Sequence, residues 1–174
     1  MKKLTLSILL LTFLFISKTS FSQSWLPEPV KSPYADALTG TWTSSPYEFM
    51  GSTNNDVITY NKILNGQFME IDVKRTDNTG FTYEGKEIIA PAADGTMKGT
   101  YYDMFGHERS TSYTGSKEGD KLIINGASLV GTGTREIIID GDNMIQNVTF
   151  SIPDKSGNPM PEQKITIKYK KKTN

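Results

Sequence analysis

The side chains that could do chemistry in this 174-residue chain are few. There is one histidine, His107, and no cysteine. A nucleophilic serine would need His107 as its base and a third group to orient the imidazole. Ser110 and Ser112 lie close by, but no Gly-x-Ser-x-Gly elbow presents either of them. His107 follows Gly106 in Asp103-Met104-Phe105-Gly106 and reads first as a turn residue. A zinc site takes cysteines or several histidines, which this chain does not supply. Haem held by His107 has no second feature behind it. Asp140-Gly141-Asp142-Asn143 is rich in oxygen, yet lacks the spacing and the bidentate glutamate of an EF-hand, and reads as a tight turn. No catalytic residue is assigned, and no metal and no cofactor are expected.

Carboxylates are the next candidates. Glu70 and Asp72 share one strand face, while Glu84 and Glu87 fall on opposite faces of another. Acid–base catalysis needs two such groups facing one cavity. Carboxylates are rarely buried without partners, so a solvated outer face is the simpler expectation. Gly131-Thr132-Gly133-Thr134 is glycine-rich but has no following Lys-Ser/Thr and no helix to form a phosphate cradle; it reads as a loop. A better prospect is an amphipathic lining. Trp42, Tyr60, Tyr83, Tyr101, Tyr102 and Tyr113 each join an apolar ring to a polar tip. Arg135, ahead of Ile137 and Ile139, is a candidate internal cation for a carboxylate or sulfonate. Tyr60, Tyr102, Asp103 and Arg135 are the candidate ligand-binding residues, with Gly40 and Trp42 as structural closure.

The elements that must position these residues are strands. Short segments recur every eight to twelve residues from Thr41 onward. Val57–Leu64 sets Ile58 and Tyr60 against Val57, Thr59 and Asn61. Gln67–Lys74 sets Met69, Ile71 and Val73 against Glu70 and Asp72. Asn65-Gly66, Asn125-Gly126 and Gly141-Asp142-Asn143 are hairpin signals, because their residues tolerate positive φ. Pro27 and Pro29 keep the leader extended. Ser32-Pro33 then reads as the cap and first turn of a short helix through Leu38, ended by Gly40. Nine or ten strands with tight turns and almost no helix predict an all-β fold. It is an antiparallel up-and-down meander closing into a lipocalin-like barrel of about 8–10 strands, with a short N-terminal helix.

The first residues are a targeting segment. Lys2 and Lys3 precede the apolar run Leu4–Ile16, and Ser20-Phe21-Ser22 supplies small residues for a cut before Gln23. The expected organisation is a signal peptide over 1–22, a leader and short helix over 23–37, and a barrel domain over 38–172. The protein is thus expected to be exported, to the periplasm or the cell exterior, with no membrane span after cleavage near Ser22-Gln23. Basic and acidic residues number 19 each, and Lys2, Lys3 and Lys18 leave with the signal, so the mature chain is slightly acidic. That balance argues against a nucleic-acid partner. Lys168, Lys170, Lys171 and Lys172 form the one basic cluster and read as a solvated last strand.

Four short motifs stand in a characteristic order: Leu38-x-Gly40-x-Trp42, Leu64-Asn65-Gly66-Gln67-Phe68, Gly99-Thr100-Tyr101-Tyr102-Asp103, and a closing Lys168-Tyr169-Lys170-Lys171. Over roughly residues 36–172 the chain resembles a family of bacterial secreted lipocalin-like (calycin-type) β-barrel domains of unknown function. The resemblance implies a barrel with an internal cavity, and no catalytic residues. A second Trp-x-Asp-type element is missing from 107–115. The expected role is the binding of a small apolar or amphipathic molecule inside the barrel. Two alternatives stand beside it. One is a hydrolase or isomerase using Tyr102, Asp103, His107 or Arg135 in that cavity. The other is an envelope interaction protein acting through its outer surface.

Overall fold

The computed structural model describes residues 27–128, 131–154, 156–158 and 160–173. The expected signal peptide and the first residues of the leader lie outside them. A four-residue helix, α1 (Ala35–Leu38), precedes eleven strands. These are β1 (Gly40–Ser44), β2 (Tyr47–Phe49), β3 (Ser52–Ile63), β4 (Phe68–Asp77), β5 (Thr82–Pro91), β6 (Met97–Asp103), β7 (Thr111–Glu118), β8 (Lys121–Ser128), β9 (Gly131–Asp140), β10 (Asn143–Ser151) and β11 (Gln163–Lys171). From β2 to β11 each strand pairs antiparallel with its neighbour in sequence. β11 then pairs with β1, and β1 with β3, which closes the sheet. β1 lies against Val57–Tyr60 of β3, and β2 against Ser52–Asn54 of the same strand. The two act as one bent strand, so the result is a closed up-and-down barrel of ten strands. Closure removes the exposed edges that a meander of this length would otherwise leave.

Alternation decides what each strand buries. Ile58 and Tyr60 of β3, Met69 and Ile71 of β4, Ile137 of β9, Met144 of β10 and Ile167 of β11 all face inward and are buried. The two ends of the barrel differ. One carries α1, the start of β1 and the turns at 64–67, 92–96, 119–120 and 141–142. Here Leu38 and Trp42 plug the interior. Trp42 is 0% exposed. Its indole N–H donates to the Leu38 carbonyl at 2.7 Å. The Lys171 ammonium lies 5.2 Å from its ring. Gly40 has φ +122°, a region closed to side chains, and gives the chain its bend from helix into strand. Gly40 and Trp42 thus sit where barrel closure requires them. The leader covers the same end. The Pro27 and Glu28 carbonyls accept hydrogen bonds from the side chains of Asn65 (2.9 Å) and Gln67 (2.6 Å).

Three local readings need correction. Asn125-Gly126 is not a hairpin turn but part of β8, paired with Thr134 and Gly133 of β9. Its loop-like residues are held by neighbours on both sides, which overrides their turn preference. Gly131–Thr134, read as a loop, is the start of β9. Ser32 does not cap α1: its buried hydroxyl makes no capping hydrogen bond, and Tyr34 occupies the cap position.

Candidate functional site

The end of the barrel opposite Trp42 is hollow. A cavity of about 630 Å³ opens there, between the rim residues Met50, Arg109, Thr132 and Ser151. Its walls carry Ile58, Val73, Ile124, Val148 and Ile167. Below it, Tyr60, Met69, Ile71, Ile89 and Ile137 fill the interior.

Two buried ion pairs are set into this apolar wall. Asp56 and Arg75 face each other directly across the β3–β4 pairing. The guanidinium donates through Nε to Oδ1 at 2.9 Å and through Nη2 to Oδ2 at 3.3 Å. Asp56 also accepts from the hydroxyls of Tyr47 (2.8 Å) and Tyr169 (3.0 Å). Its own N–H donates to the Ser44 hydroxyl at 2.7 Å. Arg75 lies 4.8 Å from the Phe49 ring centroid and 5.6 Å from that of Tyr47. Asp56 thereby gains a donor for each lone pair that burial strips of water, which is the condition for such a pair to survive inside. The second pair is longer in range. Arg135 of β9 reaches across the barrel to Glu87 of β5 with two parallel 2.9 Å hydrogen bonds. Burial opposes the Arg135 charge, but Glu87 more than offsets it and holds the guanidinium above its ordinary pKa.

A third cluster lies toward the mouth. Asp103 accepts from the Tyr83 hydroxyl at 3.2 Å and from the Phe105 N–H at 2.9 Å. Its side chain is only 4% exposed, and Arg109 Nε lies 3.4 Å away. Tyr83 and Tyr101 share a hydrogen bond. A carboxylate cannot donate, so the single phenolic proton of Tyr83 goes to Asp103, and Tyr101 donates to Tyr83. Gly85 makes room for this arrangement: a Cβ there would stand 2.0 Å from the Tyr101 hydroxyl. Burial pushes the Tyr83 phenol up to about 12, and it raises Tyr47, Tyr60, Tyr101, Tyr113 and Tyr169 further. These phenols therefore serve as neutral hydrogen-bonding groups, not as acids or bases poised near neutral pH.

The candidates named from the sequence separate into two sets. Arg135 lines the cavity, and Asp103 is tucked behind its mouth. Tyr60 sits just under the floor, where its hydroxyl accepts from the Gln146 amide at 3.4 Å. Tyr102 is 47% exposed and lies on the outer face near Ile88 and Thr100. His107 is exposed in a single 3-10 turn, His107–Arg109. Asp103 and Arg135 are each engaged with a different partner, so the four polar residues considered for catalysis form no common constellation. Arg135 is internal, but it is not a free cation, because Glu87 occupies its fork. The expectation of carboxylates on the outer face holds for Glu70 and Asp72, which share Lys86 at 2.9 and 2.7 Å. It fails for Glu87, which is buried because Arg135 meets it from the far wall. Asp56, Arg75, Tyr47 and Tyr169 are not among the site residues expected from the sequence, yet they build the most fully bonded polar group of the interior. Among the described residues no cluster of His, Cys, Asp or Glu is arranged to hold a metal ion.

The exposed large apolar side chains gather at the mouth. Met50, Phe81, Met104, Phe105 and Met160 all come from the connections at that end, whereas the plugged end exposes Leu64. No helix among the described residues is long and apolar enough to cross a membrane. The chain matches no known protein family model and no curated protein. Its class rests on its own geometry: a ten-stranded antiparallel barrel, plugged at one end and hollow at the other.

Proposed function

We propose that this protein is an exported barrel that binds a small apolar or amphipathic molecule, in keeping with its resemblance to bacterial lipocalin-like domains. The observation that carries this reading is the cavity of about 630 Å³ opening opposite Trp42. Its size falls within the roughly 300–1,000 Å³ of typical small-molecule sites, and its few polar groups converge within apolar walls. The Lys2-Lys3 head and apolar run of the N-terminus support export, to the periplasm or beyond.

Native mass spectrometry of protein purified from its own host tests the reading. A retained adduct is expected, together with its loss in a folded variant such as Val148→Trp that fills the cavity. No adduct, and no thermal shift across a panel of apolar and amphipathic compounds, would overturn it. A second reading, an envelope protein acting through its outer surface, is favoured by the apolar side chains around the mouth. It predicts co-sedimentation with lipid vesicles that Met50→Ser and Phe105→Ser abolish; no co-sedimentation would exclude a lipid surface as that partner.

A further inference from the structure

We infer that the cavity selects an uncharged amphiphile, with a hydroxyl or carbonyl as its polar end, over the carboxylate of the same chain. The inference rests on the proposed binding role and concerns the chemistry of the guest. An anionic guest needs a cation that is not already satisfied. Among the described residues the cavity is lined by three guanidiniums, and each has its own carboxylate. Arg75 is held by Asp56, Arg135 by Glu87, and Arg109 by Asp103. The first two pairs are bidentate, so one donor edge of each guanidinium is already taken by a carboxylate and its charge is matched. A guest carboxylate entering here would lose its water and meet Asp56 and Glu87 without a compensating charge, and unpaired buried charge is among the costliest arrangements a site can impose. A guest cation would meet the guanidiniums in the same way.

The unspent hydrogen-bonding capacity is neutral. The Tyr113 hydroxyl is buried, borders the cavity and makes no hydrogen bond of ordinary geometry among the described residues, its interaction with the Glu87 carboxylate being a loose one. The nearby Glu87 carboxylate adds to burial in keeping that phenol protonated, so Tyr113 remains a donor. Tyr101 gives its proton to Tyr83, which leaves the lone pairs of its oxygen unspent among the described residues. A guest hydroxyl can accept from the first and donate to the second, and a carbonyl can accept from the first. Both unspent groups are phenols held well above their ordinary pKa, so the preference needs no titration of the protein.

The experiment is displacement of Nile red, an uncharged apolar dye, from the mature protein by dodecanol and by dodecanoate near pH 8. Dodecanol is expected to compete at least about tenfold more strongly, in line with the cost of an uncompensated buried charge. Lowering the pH toward the fatty acid's own pKa should close the gap from the acid's side. Glu87→Gln, which frees the Arg135 fork, should narrow or invert the preference. If that variant does not fold, Asp56→Asn tests the same point at the other pair. Dodecanoate binding as tightly as dodecanol, or more tightly, in the unsubstituted protein overturns the inference and leaves the binding role standing. Failure of the protein to take up Nile red, or of either guest to displace it, overturns the binding role and the inference with it.

Discussion

The two halves of the barrel are built from the same strands and filled by opposite means. In the plugged half, Leu38, Trp42, Met69, Ile71, Met97 and Met144 close the interior with apolar volume. Only isolated polar contacts are needed there, such as the indole N–H on Leu38. In the hollow half, the same inward positions carry Asp56, Arg75, Glu87, Tyr101 and Arg135, and space is left between them. A core of apolar side chains gains stability from area removed from water. A paired charge gains little net stability, because desolvation offsets attraction. The comparison teaches that the plugged half holds the fold through buried apolar area, while the hollow half gives inward positions to paired charges that add little net stability.

Alkaline pH should act most strongly through the hollow half. Tyr47, Tyr83, Tyr101, Tyr113 and Tyr169 surround the hollow, and burial raises all their pKa values in the folded state. The native state then binds more protons than the unfolded chain, so stability falls as pH rises. The loss begins near the ordinary phenol value of 10 and continues past about 12, where Tyr83 titrates. Tyrosinate absorbance should appear together with loss of the β-sheet circular dichroism, as one cooperative step. Phenols ionising near 10 in a folded barrel would show that the interior is wet.

Truncation of Trp42 is the largest single change at the plugged end. Trp42→Ala should cost about 3–5 kcal/mol in denaturant unfolding. A loss below about 1 kcal/mol would mean that the plug carries little of the fold. Asp56→Asn should cost about 3 kcal/mol, since it leaves Arg75 buried beside a neutral partner. The double replacement Asp56→Leu with Arg75→Leu should recover most of that loss, which would sharpen the view that this pair is kept for something other than stability. Gly85→Ala should cost about 1–3 kcal/mol by forcing Tyr101 from its place. It should also weaken binding of any guest, whereas Trp42→Ala in its folded fraction should not. The smallest effect is expected outside both halves. Asp77 receives hydrogen bonds from Thr79 and from the Phe81 N–H in an exposed turn. Asp77→Ala should lower the unfolding midpoint only slightly and leave guest binding unchanged.

Much of this site is legible in the alternation. The segment Val57–Leu64 begins one residue after Asp56, and Gln67–Lys74 ends one residue before Arg75. Extending the inward series Ile58 and Tyr60 back by one step reaches Asp56. Extending Met69, Ile71 and Val73 forward by one step reaches Arg75. Charged residues at a strand's end ordinarily mark its exit to solvent, which hides the continuation of the pattern. Glu87 keeps parity with Ile89 and was inward by the same rule, yet a lone inward carboxylate has no sense until its partner is known.

The sequence by itself determined the all-β meander, the Gly40–Trp42 entry into β1 and the turns at 64–67 and 141–142. These follow from local preferences: alternation along a strand, positive φ at glycine and asparagine, and an amphipathic period of two. The tertiary structure alone decided that Arg135 meets Glu87, 48 residues away in sequence. It alone decided that β1 closes on both β3 and β11, that Tyr102 faces outward, and that one half of the barrel is hollow. Those facts depend on the stagger at which ten strands close upon themselves. That stagger is fixed by how all the inward side chains fit together, and no single segment encodes it.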